Sequence, residues 1–266
     1  MQSMKKFLTG ITVTFNSSHI VDKLLFSIRK IMNDEIEWIV VDSGSKDKTG
    51  DILKNEEKLK LFFFDRNIGF SRANNFAFQK SLGEYIFFCN PDIYFDKKNF
   101  EEILKELKEI KPRILVPLLK EEKGFRYFIR PLPSIRNILE GRWNKGVIKK
   151  GEKIQPAFSA VFVKREIFEK LKGFDERFFV YFTDVEFFRR FYEKGYDIKD
   201  IYFSKNFVYH GKGSIPDSGK YQFLRKFELA RGFVRYFLIY GNFTEKIFSI
   251  PFFILLIIRG FYSFLK

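Results

Sequence analysis

The chain is punctuated. Four apolar runs in its first 120 residues each stop at a polar cluster: 7–15 at Asn16-Ser17-Ser18, 37–41 at Asp42-Ser43-Gly44-Ser45, 59–64 at Asp65-Arg66-Asn67, and 84–89 at Asn90-Pro91-Asp92. The stretches between them predict helices. In 19–31 the apolar residues Ile20, Leu24, Leu25, Ile28 and Ile31 recur at helical spacing. Residues 47–57 and 71–82 also read as helices, the second with Ser71 as its N-cap. A helix over 99–110 and a strand over 114–118 follow. Strand and helix in alternation predict a parallel, doubly wound sheet. Such sheets bind ligands outside the carboxyl ends of their strands. Four polar strand ends in a row therefore form one candidate site.

The second half is less regular. Residues 141–151 are basic and turn-rich, and are expected to be a mobile loop. Strands are predicted at 158–163 and 203–210, and a helix at 183–194. A Gly/Ser/Pro/Asp loop covers 211–219, and the chain reads as helical and basic from Tyr221 onward. No internal repeat is visible. At about 100–200 residues per domain, 266 residues fit one large domain, or one with an appendage.

Composition narrows the function classes. A hydrophobic fraction of 45% beside 30% charge argues against disorder, and 37 Phe point to an unusually aromatic core or surface. A single cysteine, Cys89, excludes an internal disulfide framework and a Cys-rich zinc site, and fits a reducing cytosol. The net charge of +15 calls for an anionic partner, such as nucleic acid, phosphate or anionic lipid, or else reflects solvated lysines. The N-terminal apolar run mimics a signal peptide only briefly. Thr9, Thr12 and Thr14 interrupt it, and no small-residue cleavage site follows Asn16. The apolar stretch 247–258 holds Ser249 and Pro251 and stops at Arg259; a spanning helix needs about 20 residues, so it is too short to cross a bilayer alone.

Several residues have the chemistry of a site. Asp42, after a buried-looking strand, could accept hydrogen bonds from a ribose or base; an Asx-turn capping the next helix is the competing reading. Asp92 offers hard oxygen to Mg²⁺ or Mn²⁺, which often takes only one or two carboxylates plus phosphate and water. Thr183 and Glu186 match a capping box. That leaves Asp184 less explained and makes it a candidate general base. His210 ends a strand before a glycine loop and suits a metal or phosphate, or a core position. His19 reads as a surface residue. No phosphate-binding Gly-x-x-x-x-Gly-Lys-Ser/Thr loop, no dinucleotide glycine motif and no nucleophile elbow is present.

Together these segments resemble the family 2 glycosyltransferases of GT-A fold, in particular the bacterial rhamnosyltransferase-like branch. The motifs occur in the family's order over roughly residues 7–215. Val13-Thr14-Phe15-Asn16-Ser17 resembles the first, Val41-Asp42-Ser43-Gly44-Ser45 with Asp47 the second, and Arg66-Asn67-Ile68-Gly69-Phe70 with Ala73-Asn74-Asn75 the third. Phe88-Cys89-Asn90-Pro91-Asp92 is similar to a DxD motif whose first Asp is Asn. Ser159-Ala160-Val161-Phe162, Gly173-Phe174-Asp175-Glu176 and Phe179-Val180-Tyr181 resemble the acceptor-side segment, and His210 with Gly213-Ser214 the late His loop.

The resemblance implies an α/β fold of GT-A type: a mostly parallel sheet flanked by helices, with a C-terminal helical extension. Its catalytic domain would be 1–219, with a nucleotide-binding half (1–118) and an acceptor half (119–219). It implies that Thr14, Asn16, Asp42, Asn67 and Asn74 hold the donor nucleotide. Asp92, aided by His210, would bind Mg²⁺ or Mn²⁺ on the diphosphate. Asp184 would be the base, with Glu186 and Arg190 on the acceptor side. The family usually has an acid where this chain has Thr183, and Asp184 is preferred as the base. The reaction implied is inverting transfer of a sugar, rhamnose in the favoured case, from a dTDP- or UDP-sugar to a saccharide or lipid-linked acceptor in cell-surface polysaccharide synthesis.

Residues 220–266 carry eight Lys and Arg against two Glu, among dense Phe, Ile and Leu. Basic, apolar and too short to span reads as an interfacial helix on anionic lipid. That places the protein in the cytoplasm at the inner face of the cell membrane. Packing of this segment on the catalytic domain or on another subunit is the competing reading. Two other functions stay open: a nucleotidyltransferase, and a basic membrane- or nucleic-acid-binding protein without catalysis. Grouped carboxylates at strand ends favour the enzyme, so no nucleic-acid partner is expected.

Overall fold

A computed structural model of the chain describes residues 6–211, 219–251 and 254. The first half alternates as the punctuation requires. Strands β1 (Lys6–Thr14), β2 (Ile36–Asp42), β3 (Lys60–Phe63) and β4 (Gly83–Cys89) lie parallel in the order β3-β2-β1-β4. They are joined by helices α1 (Val21–Ile31), α2 (Thr49–Lys54) and α3 (Phe70–Gln79). Next come β5 (Ile93–Tyr94), α4 (Lys97–Ile110), β6 (Ile114–Glu121), β7 (Gly124–Arg126), β8 (Ile129–Pro131), α5 (Ile135–Leu139), α6 (Arg142–Lys145) and β9 (Ile154–Pro156). The chain continues through β10 (Ala160–Lys164), α7 (Arg165–Lys170), α8 (Thr183–Glu193), β11 (Ile201–His210) and α9 (Gly219–Tyr240).

The large sheet continues past β4 as β10-β6-β11-β5. β10 runs antiparallel to both of its neighbours, whereas β11 is parallel to β6. Period-two alternation divides the strands between two buried faces. Trp38, Val40, Phe87 and Cys89 face one cluster with α1 and α4; Ile39, Val41, Ile86 and Phe88 face another with α3, α7 and α8. The many phenylalanines supply this interior. Phe87 of β4 and Phe162 of β10 are register partners with rings stacked 4.0 Å apart, a pairing worth about 0.5–1.5 kcal/mol beyond burial.

Three local expectations are corrected. Ser71 is not the cap of α3: that position is Gly69, at φ 83, and the Ser71 hydroxyl instead bonds the Phe178 carbonyl. Thr183 and Glu186 form no capping box, because the N-cap of α8 is Phe182 and makes no side-chain cap bond. Residues 141–151 are not a bare loop. They contain α6, whose Arg142 is bound by Glu140 (2.5 Å) and Glu152 (2.8 Å).

The first part of the basic tail packs on the protein. Ala230, Phe233, Tyr236 and Phe237 of α9 are buried. The last three share a cluster with Ile138, Trp143, Phe178, Phe182 and Val185. Residues 243–250 are helical again, and Phe243, Ile247, Ile250 and Ile254 are each more than half exposed. No described helix is long and apolar enough to cross a membrane. Gly213-Ser214 and half of the 247–258 stretch lie outside the described residues.

Candidate active site

The strand register builds the site. Thr14 and Asp42 are paired at the ends of β1 and β2. Asp42 is buried, and both its oxygens have donors. Oδ1 accepts from Thr14 Oγ1 at 2.8 Å and Ser45 Oγ at 2.5 Å, and Oδ2 from Ser45 N at 3.0 Å. Asn16, in the left-handed region at φ 51, crosses to the same turn. Its N–H donates to Ser45 Oγ and its Oδ1 accepts from Lys46 N, both at 2.8 Å. Asp47 closes the turn over Ser18 and Thr49. Burial works against its charge, but bonds from Thr49 and Ser18 hold its pKa down to about 2.

Asp92, His210 and Asp184 line one cavity of about 1000 Å³. Asp92 follows β4, and the β5–β11 pairing sets His210 beside it. His210 Nε2 is 3.5 Å from Asp92 Oδ2, and its Nδ1 is 2.7 Å from Glu121 Oε1. Asp92 first and then Glu121 raise the imidazole pKa, against burial, which lowers it. Burial pushes Glu121 upward, but Arg126 and His210 hold it below the usual carboxylate range. Asp92 Oδ1 is buried with no hydrogen-bond partner among the described residues. A hard cation would satisfy that orphaned oxygen, so the donor chemistry fits Mg²⁺ or Mn²⁺. Among the described residues no group of three or more His, Cys, Asp and Glu is gathered for a metal. An ion there would draw most of its ligands from diphosphate and water.

Asp184 enters the cavity from the first turn of α8. Burial raises its pKa; the Val185 N–H, 2.9 Å from Oδ1, and the Arg130 charge oppose the rise. The preceding Phe182 is held at φ 68, a costly conformation for a bulky side chain. Trp143, Phe233 and Tyr236 pack on its ring. Thr183 turns its hydroxyl inward, 2.9 Å from Ser71 Oγ and 3.1 Å from the Val180 carbonyl. Gly69 allows this approach of α3: a Cβ there would lie 2.5 Å from the Phe179 ring.

The other expected residues are placed elsewhere. Asn67 accepts from Ser43 Oγ (3.1 Å) and Gly69 N (2.9 Å), and lines a second, smaller cavity. Asn74 is buried, and its amide donates to Phe70 O of its own helix at 2.8 Å. Glu186 and Arg190 do not line the large cavity. Glu186, fully buried, pairs with Arg190 at 2.5 Å and accepts from Tyr240 at 2.7 Å. Arg190 also binds the carbonyls of Leu171 and Gly173. Glu121 and Arg130 went unforeseen. The signal for Glu121 was Glu122-Lys123-Gly124, a turn that carries β6 past Leu118 into a hairpin with β7.

Comparisons agree with this architecture. The sequence model for glycosyl transferase family 2 matches residues 10–172. A putative teichuronic acid biosynthesis glycosyltransferase of Bacillus subtilis is 27% identical over 113 residues, 41% of this chain and 45% of that protein. The match thus spans less than half of that relative's length. An N-acetylglucosaminyl-diphospho-decaprenol L-rhamnosyltransferase of Mycobacterium tuberculosis is 23% identical over 215 residues, 69% of each chain. The mannosyltransferase PcManGT from Pyrobaculum calidifontis, solved with GDP-Man and Mn²⁺, superposes with a TM-score of 0.58 at 16% identity, over 98% of this chain and 74% of its own. The fold is that of the GT-A glycosyltransferases. The nucleotidyltransferase and non-catalytic alternatives lose their ground.

Proposed function

This chain belongs to glycosyl transferase family 2, and we propose that it transfers a sugar, with inversion, from a nucleoside-diphosphate donor to an acceptor hydroxyl. The observation that carries this reading is the convergence of Asp92, His210 and Asp184 on one cavity. Asp184 takes the proton of the acceptor hydroxyl. The freed oxygen attacks the anomeric carbon from the face opposite the diphosphate, and the bond to the diphosphate oxygen breaks. Asp92 and His210, 3.5 Å apart, face the diphosphate end of the donor, where Asp92 would hold a divalent ion. A divalent ion held at Asp92 would neutralise charge on the leaving diphosphate. Thr14, Asn16 and Asp42, gathered at the ends of β1 and β2, shape the nucleotide side.

The donor favoured is dTDP-rhamnose, with UDP-sugars next, and the acceptor a saccharide or lipid-linked saccharide of the cell surface. The relatives of teichuronic acid and decaprenol-linked synthesis support that choice. Peripheral contact with anionic lipid at the inner membrane face is supported by the exposed Phe243, Ile247, Ile250 and Ile254 on a basic tail.

The test is a thermal-shift panel of nucleoside diphosphates with and without Mg²⁺ or Mn²⁺, followed by transfer assays. At 100 times its dissociation constant a ligand adds about 2.7 kcal/mol of stability. One nucleotide should give a metal-dependent shift, and Asp92→Ala should abolish both shift and transfer while the fold persists. An Asp92→Ala protein that still transfers sugar would overturn the assignment.

A further inference from the structure

The second cavity, about 550 Å³, lies where the segment after β3 meets α9. Five guanidinium groups line it, from Arg66, Arg72, Arg177, Arg231 and Arg235, against one carboxylate, Glu176. They come from three separate stretches of chain, 66–72, 176–179 and 231–235, so no single basic run explains their meeting. Three have acidic neighbours: Arg72 with Glu176 at 3.2 Å, Arg177 with Asp175 at 2.6 Å, and Arg231 with Glu228 at 2.8 Å. Arg66 has no acidic partner among the described residues, and Arg235 donates to the Arg177 carbonyl. Arg235 also lies within charge range of Glu228, so among the described residues five guanidinium groups share three carboxylates, Glu176, Asp175 and Glu228.

Like charges one helical turn apart, as Arg231 and Arg235 are, repel each other. Both are nonetheless half-buried, and Arg231 sits over the Phe179 ring, 5.7 Å from its centroid. Guanidinium groups fixed in this way present planar forks that match phosphate oxygens in pairs. Asn67 also lines the cavity, but its side-chain oxygen already accepts from Ser43 and Gly69.

We propose that this cavity is a second anion site, separate from the donor diphosphate, that binds a phosphate or diphosphate group. The group can be borne by an anionic lipid headgroup or by a soluble phosphate-bearing ligand; the recognising chemistry is the same. The proposal does not rest on the sugar-transfer reading, since none of the five arginines lines the large cavity.

The test uses the full chain and inorganic pyrophosphate, titrated calorimetrically at low salt without divalent metal. Arg66→Ala and the Arg231→Ala/Arg235→Ala double variant are compared with the wild type and with Asp92→Ala. Arg66 is exposed and has no ionic partner among the described residues, so its variant should keep the fold even if the double variant does not. Binding should weaken about tenfold or more in the arginine variants, the worth of one charge-assisted hydrogen bond, and stay unchanged in Asp92→Ala. Co-sedimentation with phosphatidylglycerol and phosphatidylcholine vesicles separates the sources. Loss of phosphatidylglycerol retention in the arginine variants identifies a headgroup; loss of pyrophosphate affinity alone identifies a soluble ligand. If neither changes, or if pyrophosphate binding depends on Asp92 and not on the arginines, the proposal fails.

Discussion

Asp184 is a carboxylate whose surroundings favour its neutral form. Burial raises its pKa, and the Val185 N–H and Arg130 offset only part of that. A base of this kind must lose its proton before it can accept one from the acceptor. The rate should therefore rise as pH climbs through the raised pKa. The acid limb of kcat should lie above the ~3.9 of an ordinary Asp. Removing the Arg130 charge by Arg130→Gln should move that limb to still higher pH. Asp184→Asn keeps the shape and removes the proton acceptor, so kcat should fall about 10²- to 10⁴-fold with the melting temperature little changed. A pH–rate series on the three proteins checks both signs, and wild-type turnover by Asp184→Asn would remove Asp184 from the mechanism. The sequence singles this residue out because a capping box would account for Thr183 and Glu186 but not for it. The premise was wrong, since the Thr183 hydroxyl faces Ser71, 112 positions away. Local spacing cannot report a partner so distant.

Elements differ in how much of themselves the sequence reveals. β1, β2 and β4 are long enough for burial to impose unbroken apolar runs, and their polar ends mark where the sheet opens to ligand. β5, β7, β8 and β9, at two or three residues each, are too short to display a period. β5 nevertheless carries the pairing that sets His210 beside Asp92. Helix α8 shows a second limit. Its Glu186 and Arg190 look like site residues by motif, yet they fasten α8 to the 171–173 loop and, through Tyr240, to α9. Breaking a buried pair strands a charge, which costs about 3–5 kcal/mol. Glu186→Ala should accordingly lower the unfolding free energy by that order in a denaturant titration, leaving the acceptor KM of the remaining folded enzyme near the wild-type value. A raised KM with unchanged stability would return Glu186 to the acceptor side.

The molecule as a whole joins its C-terminal helix to its chemistry. Composition described residues 220–266 as basic and apolar, which fits a lipid-facing helix and a packed one equally well. Periodicity could not decide between them, because the covering surface of Phe178, Phe182 and Trp143 comes from segments that are far away in sequence. α9 comes close to the 181–182 segment at Gly232, where a Cβ would lie 2.8 Å from the Tyr181 carbonyl oxygen and 3.1 Å from the Phe182 ring. This makes Gly232→Ala a test with a definite sign. In a free or lipid-bound helix the change should stabilise by roughly 0.5–1 kcal/mol, because Ala is the better helix former. In the packed arrangement the methyl group must push α9 from the 181–182 backbone, and overpacking of this kind costs about 1–3 kcal/mol. The net effect should therefore be destabilising. It should also reach the reaction, since Phe182 in its left-handed conformation starts the helix turn that presents Asp184, and the rings of Phe233 and Tyr236 hold it there. Gly232→Ala should lower both the unfolding midpoint and kcat, whereas a rise in stability with unaltered turnover would mean that α9 and the active site are energetically separate.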